Sequence, residues 1–282
     1  MSKKWFTNEQ TLDIINLYIN DNKSINFISN KYNVDNRVIK RILIENKIKI
    51  RDANYYKSKQ FNNCYFDNID SEEKAYWLGF IYADGCIVKR KSQDAFEIKL
   101  KDSDKEHLEK LKYCLQSSHK ILERCENTPY CQNYKSVSLS ICNQHFVDSL
   151  FNKGVLYNKS KILQPPTINQ VPEKFINHFI RGYFDGDGSI YEYSKTHAGS
   201  ISFIGTESVL NWILFQLKQV VQTNAKIYKC KNKDIYELKL GGTKIISKIY
   251  YYLYKDSTIW LNRKKSKYEY ILNENKTDVQ RL

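Results

Sequence analysis

Asp84 and Asp187 are the residues of this chain whose setting most needs a chemical explanation. Each stands just before a glycine at the end of an apolar helical stretch, Trp77-Leu78-Gly79-Phe80-Ile81-Tyr82-Ala83-Asp84-Gly85 and Ile180-Arg181-Gly182-Tyr183-Phe184-Asp185-Gly186-Asp187-Gly188. A helix C-terminus carries about half a negative charge and disfavours an anion there. Small residues four apart, Gly79 with Ala83 and Gly182 with Gly186, allow two such helices to cross with their backbones nearly touching. The two acids then also repel each other. A divalent cation held between them removes both penalties, and that arrangement can cleave phosphodiesters. Gly85 and Gly188 are expected to close the helices as left-handed caps.

The two segments resemble the paired motifs of the LAGLIDADG homing endonucleases, in the form that carries both copies on one chain. The flanks add to the likeness. Tyr65-Phe66-Asp67-Asn68-Ile69-Asp70 leads into the first motif through Glu73-Lys74-Ala75-Tyr76, and Pro172-Glu173 leads into the second. One nonamer alone would be a weak signal, whereas two copies with similar patterns after each are a strong one. The resemblance covers roughly residue 65 to the C-terminus.

That resemblance implies a fold, a substrate and a cofactor. The fold is α+β, with pseudo-symmetric tandem αββαββα repeats forming a DNA-binding saddle. By position, Asp84 and Asp187 are the metal-binding acids, assisted by the carbonyls of Ala83 and Gly186. The cation is Mg²⁺, with Mn²⁺ able to substitute and Ca²⁺ binding without supporting cleavage. Each acid serves mainly one strand, so the product is a staggered double-strand break with 5′-phosphate and 3′-hydroxyl ends. Asp185 is the one competing acid; the first motif has Tyr82 at that place, so Asp185 reads as structural. Lys159, Arg263 and Lys264 follow the strands of each half and are candidates to stabilise charge or orient water. The halves align there with a one-residue ambiguity, and a pair of basic helix starts touching phosphate or solvent is the other reading. His107, His119, His145, His178 and His197 show no metal-ligand spacing.

Net charge supports a polyanionic partner: 45 Lys and Arg against 31 Asp and Glu give +14 over 282 residues, without showing specificity or catalysis. The 7 Cys form no C-x-x-C pair, which fits a reducing compartment and argues against a zinc ribbon. Cys114 reads as core, and Cys125 and Cys131 as coincidental neighbours. With no signal peptide or long apolar run, the chain is expected to be a soluble intracellular monomer, in the cytoplasm of a host cell or an organelle matrix. Its Met start and Gln280-Arg281-Leu282 end lack the residues that intein splicing requires.

The acids must be positioned by elements that the pattern makes legible. Residues 1–50 read as a helix-turn-helix domain. Thr7 and Gln10 form a capping box, with Leu12, Ile15, Leu17 and Ile19 as the apolar positions of the first helix. A break at Asn33 and an N-cap at Asp35 begin the third helix, whose Val38, Ile39, Ile42 and Leu43 face inward. Asn36, Arg37, Lys40 and Arg41 then point outward where a recognition helix meets DNA. A three-helix packing unit with a solvated basic face is the alternative. Residues 51–70 read as a linker, with Arg51, Lys57 and Lys59 among Tyr55, Tyr56 and Phe61, either following a DNA groove or packing across the next domain.

Two similar halves follow, 71–170 and 171–282. In the first, strands are expected over 86–90, 96–101, 120–126 and 134–141, with helices over 104–116 and 143–151. In the second, strands fall over 189–193, 200–205, 225–231 and 235–240, with helices over 207–221, 243–252 and 263–273. Phe96, Ile98 and Leu100 alternate with Glu97, Lys99 and Lys101; Val137, Leu139 and Ile141 alternate with serines. Each sheet therefore has one face for helices and one polar face. Lys89, Arg90, Lys99, Lys101, Lys120, Arg124, Lys226 and Lys239 are placed near DNA, reading bases and binding phosphates. A solvated sheet face is the plainer reading. An intron RNA maturase or a non-cleaving DNA-binding regulator on the same fold is the functional alternative.

Overall fold

The computed structural model describes residues 6–21, 23–50, 60–128, 131–193, 199–231 and 234–279. The chain divides into two compact units, Met1–Lys59 and Gln60–Leu282. Arg51, Tyr55, Tyr56, Lys57 and Lys59 lie outside the described residues, as does His197.

In the smaller unit, α1 (Asn8–Ile19) opens with the expected capping box. Gln10 N donates to Thr7 Oγ1 at 3.2 Å and Thr7 N to Gln10 Oε1 at 3.1 Å. The inward stripe differs from the expectation: Ile14, Leu17 and Tyr18 are buried, while Leu12 and Ile19 are 65% and 52% exposed. Three and four residues apart, Ile14, Leu17 and Tyr18 share one face, and Leu12 and Ile19 fall outside it. α2 (Ile25–Tyr32) is capped by Ser24 and ends at Asn33 in the left-handed region, φ 51°. α3 (Asn36–Glu45) starts three residues later, with Asp35 Oδ1 accepting from Arg37 N at 2.8 Å. Ile28, Ile39, Ile42 and Leu43 complete the core, each buried aliphatic worth roughly 1.5–3 kcal/mol.

In the larger unit, residues 60–70 are anchored. Asn62 N donates to Leu115 O at 2.8 Å, Ser118 N donates to Gln60 O at 2.9 Å, and Tyr65, Phe66 and Ile69 are buried. This part of the segment read as a linker joins the core because its aromatic residues, though aperiodic, pack against it, Phe61 and Phe66 both meeting the ring of Phe146. The first half then runs α4 (Glu72–Asp84), β1 (Gly85–Val88), β2 (Ala95–Lys101), α5 (Lys105–Cys114), β3 (Leu122–Thr128), β4 (Cys131–Ile141) and α6 (Gln144–Asn152). The second repeats it with α7 (Ile176–Asp187), β5 (Gly188–Glu192), β6 (Gly199–Gly205), α8 (Glu207–Lys218), β7 (Ile227–Lys229), β8 (Tyr236–Gly241) and α9 (Thr243–Tyr254), and adds α10 (Asn262–Val279).

Both sheets are four-stranded and antiparallel, ordered β1-β2-β4-β3 and β5-β6-β8-β7. In β2 the inward residues Phe96, Ile98 and Leu100 meet α5 and α6, while Lys99 and Lys101 face away. The architecture is α+β with two tandem repeats, and α4 and α7 form the seam between them.

Candidate active site

The seam is as tight as the glycine spacing requires. A methyl group on Gly79 would lie 2.0 Å from Phe179 O, and one on Gly182 would lie 1.9 Å from Tyr76 O. Lower down, a methyl on Gly186 would meet Ala83 Cβ at 2.2 Å and Asp84 Oδ2 at 3.3 Å. Backbone therefore packs on backbone, and the end of α4 is delivered against the end of α7.

Gly85 and Gly188 are not left-handed caps. Their φ, ψ values are −78°, 156° and −87°, 160°, so the chain passes from helix directly into β1 and β5. Glycine is needed for room: a side chain at Gly85 would strike Ile81 O at 2.9 Å, and one at Gly188 would strike Phe184 O at 2.4 Å. This direct passage fixes each acid at the junction of a motif helix and its first strand.

The carboxylates of Asp84 and Asp187 receive no hydrogen bond from any of the described residues. Burial, and then the charge of Asp187, pushes the Asp84 carboxyl up to about 6. Burial likewise raises Asp187, opposed by the positive charges of Lys159 and Lys264. Asp185 contrasts with both. It is fully buried, and accepts from Tyr76 OH at 2.7 Å, Leu261 N at 2.7 Å and Tyr254 OH at 3.1 Å. Its hydrogen-bonding capacity is spent on the fold, whereas that of the other two acids is open.

Two of the three basic candidates come to the acids. Lys159, 6% exposed, donates through Nζ to Ala83 O at 2.7 Å. Lys264, 7% exposed, donates to Phe184 O at 2.6 Å and Gly186 O at 3.0 Å. Ala83 O and Gly186 O are carbonyls left without an intrahelical partner at a helix C-terminus, where positive charge is favoured, while Phe184 O also accepts from Gly188 N. Burial lowers both lysines, Lys264 to about 8, while the nearby acids oppose that shift. Arg263 is turned away. Its Nε lies 2.9 Å from Asp104 Oδ1 and its NH2 2.9 Å from Oδ2, a two-pronged pairing outside the acid pair. The one-residue ambiguity resolves in favour of Lys264 as the counterpart of Lys159.

The donor set fits a hard dication. Two carboxylates without donors, two backbone carbonyls and a cleft of about 620 Å³ beside Asp84, walled by Cys86, Lys89, Tyr157 and Lys159, offer mostly oxygen and room for water. The lysines share the Ala83 and Gly186 carbonyls, but a carbonyl oxygen has two lone pairs and can serve both.

Arg181 is a residue that the sequence reasoning missed. Completely buried, it pairs with Glu72 and donates to Ile259 O at 3.0 Å and Leu253 O at 2.8 Å, fastening α7 to the start of α4, to the last turn of α9 and to the segment after it. The one basic residue of its motif was the available signal.

The DNA-contact candidates are all exposed. Arg90 pairs with Glu97 and reaches Ser140 Oγ at 3.0 Å, and Lys99 pairs with Glu126. Arg124 and Lys101 flank Ser136 in register on the same polar face. Lys89 lies over Tyr157 at 4.9 Å, and Lys239 over Tyr191 at 5.6 Å and Tyr193 at 5.5 Å. Lys120 and Lys226 precede β3 and β7. In the smaller unit Asn36, Arg37, Lys40 and Arg41 are exposed, and Ser29 Oγ donates to Asn36 Oδ1 at 2.6 Å.

A duplicated helix–sheet half with glycine-packed motif helices and a terminal acid on each defines the class. The LAGLIDADG-like domain family matches residues 71–153 and 174–254, and the chain belongs to that family, carrying two copies. Among solved structures it is similar to meganuclease I-SmaMI bound to uncleaveable DNA with a TTGT central four, at 12% identity, with 72% of this chain and 92% of that one covered and a TM-score of 0.50. It is also similar to the LAGLIDADG homing endonuclease I-GzeII in complex with its DNA target, at 13% identity, 73% and 91% coverage and a TM-score of 0.48. No curated protein matches the chain. Among the described residues, no helix is long and apolar enough to cross a membrane.

Proposed function

We propose that the chain is a site-specific homing endonuclease that binds a long duplex DNA target in the major groove and makes a staggered, metal-dependent double-strand break. The observation that carries this reading is the acid pair: two half-buried carboxylates, raised by burial and left without donors, at the helix ends that the family places beneath DNA. As an architectural device for binding a polyanion, such a pair only weakens affinity.

Asp84 and Asp187, with the carbonyls of Ala83 and Gly186, would hold Mg²⁺. When bound, the ion supplies a water of lowered pKa and counter-charge for the departing 3′ oxygen. Lys159 and Lys264 keep the carbonyls oriented and place two positive charges under the phosphates. Two acids with two lysines match the two strands, leaving 5′-phosphate and 3′-hydroxyl ends. Mn²⁺ substitutes in this scheme, and Ca²⁺ binds without supporting cleavage. The polar sheet faces carry the base-reading and phosphate contacts, and Asn36, Arg37, Lys40 and Arg41 add contacts from the helix-turn-helix unit.

Incubating the chain with a randomised duplex library in Mg²⁺ and sequencing the ends tests this directly. A discrete target with a short constant stagger is expected. Absence of Mg²⁺-dependent ends, together with tight binding of radiolabelled intron RNA, would transfer the fold to the maturase reading.

A further inference from the structure

Outside the acid pair, a turn and a helix start bring a thiol, a carboxylate and an imidazole together. Cys64 Sγ, a carboxylate oxygen of Asp67 and a ring nitrogen of His145 all lie within 4.8 Å of one another. Among the described residues it is the one place where three such ligands converge. We propose that these three side chains form a zinc site, with solvent in the fourth position, that clamps residues 60–70 to α6.

Forming a tetrahedral site requires side-chain shifts of up to about an ångström from the present spacing. Zinc binds sulfur at about 2.3 Å and nitrogen or oxygen at about 2.0–2.2 Å in a tetrahedron, which sets ligand atoms roughly 3.2–3.8 Å apart. His145 Nε2 now lies 2.9 and 3.0 Å from the two oxygens of Asp67, so that pair opens by a few tenths of an ångström while the sulfur closes in. Ser149 Oγ donates to Asp67 Oδ1, which orients the carboxylate and leaves Oδ2 for the ion, as an outer partner of a metal ligand does. Asp67 N donates to Cys64 O at 3.1 Å, so the turn that carries two ligands is already formed.

The ligand chemistry selects the ion. A thiolate with imidazole suits zinc and discriminates against Mg²⁺, so this site and the acid pair take different metals. Binding removes the thiol proton to solvent, and the resulting thiolate and carboxylate neutralise the dication. Cys64 and His145 are both exposed, so the ion has direct access. The site joins the segment that carries Tyr65 and Phe66 to the helix that carries Phe146, whose ring packs on Phe66 at 5.7 Å.

Titrating the reduced, chelator-treated full chain with Co²⁺ tests the proposal independently of nuclease activity. One equivalent is expected to produce an intense thiolate-to-cobalt charge-transfer band that Zn²⁺ abolishes and Mg²⁺ does not. Cys64→Ser and His145→Gln should lose the band, whereas Cys86→Ser, which removes the thiol beside Asp84, should keep it. Ser149→Ala should weaken Zn²⁺ competition by roughly 10–100-fold. No charge-transfer band, or one that survives in Cys64→Ser, overturns the proposal.

Discussion

Lys159 and Lys264 reach equivalent carbonyls from unlike scaffolds. Lys159 stands in a short 3-10 turn and holds one oxygen; Lys264 stands in the first turn of the long α10 and bridges two. The residue two places before each acid differs as well. Tyr82 donates to Lys153 O at 2.5 Å, whereas Asp185 accepts from Leu261 N. Both tie the motif helix to the segment that leads to the lysine, but what waits there is opposite in kind. Lys153 follows α6 and presents a carbonyl left over at a helix C-terminus; Leu261 precedes α10 and presents an N–H left over at a helix start. A donor suits the first half and an acceptor the second, so the duplicated halves keep a connection while exchanging its chemistry.

The seam is where the halves should behave alike. Gly79→Ala and Gly182→Ala each drive a methyl into a backbone oxygen of the other helix, and each is expected to cost about 3 kcal/mol or more in urea unfolding. Tolerance of one substitution would break the symmetry at its root. At the lysines the halves should part. Lys264→Met is expected to slow cutting of one strand by about 100-fold and Lys159→Met the other by less, because Lys159 holds a single carbonyl. Separate end-labels on the two strands read this out, and equal slowing of both strands by either variant contradicts the division of labour.

Smaller effects sharpen the contrast between Tyr82 and Asp185. Asp185→Asn disturbs three bonds to a buried group and should lower stability by about 2 kcal/mol, against about 1 kcal/mol for Tyr82→Phe, as measured by thermal denaturation. The reverse order would mean that the network around Asp185 is not what secures α10. The smallest expected effect is one of pH. The Asp84 carboxyl, at about 6 when folded, lies above its ordinary 3.8, so its contribution to metal-free stability is full below the ordinary value and is lost as pH rises through about 6. As the proposed ligand of Mg²⁺, Asp84 would act in its charged form, so the rise in melting temperature on adding Mg²⁺ should be slight near about pH 5 and grow to a plateau near about pH 7.

The motif helices, the two sheets and the place of both acids at the helix ends were legible in the chain because each rests on local spacing: glycines four apart, strand alternation, an acid before a glycine. What escaped depends on meetings at long range. Nothing near Arg263 or Lys264 says which of them will find Asp104, and nothing around Cys64 announces His145. Gly85 and Gly188 were misread as caps because a helix that runs straight into a strand leaves the same Asp-Gly signature as one that stops. In α1, Leu12 and Ile19 carried the right hydrophobicity at the wrong helical angle, and in residues 60–70 aromatic anchors were hidden by the absence of any period.

The proposed metal-binding floor of Asp84 and Asp187 is tested most directly by side-by-side cleavage and binding assays of Asp84→Asn and Asp187→Asn. Each variant should bind target duplex in Ca²⁺ as the unmodified chain does while yielding no double-strand product in Mg²⁺. If either one still cuts both strands at the unmodified rate, the acid pair is not the centre of this chemistry.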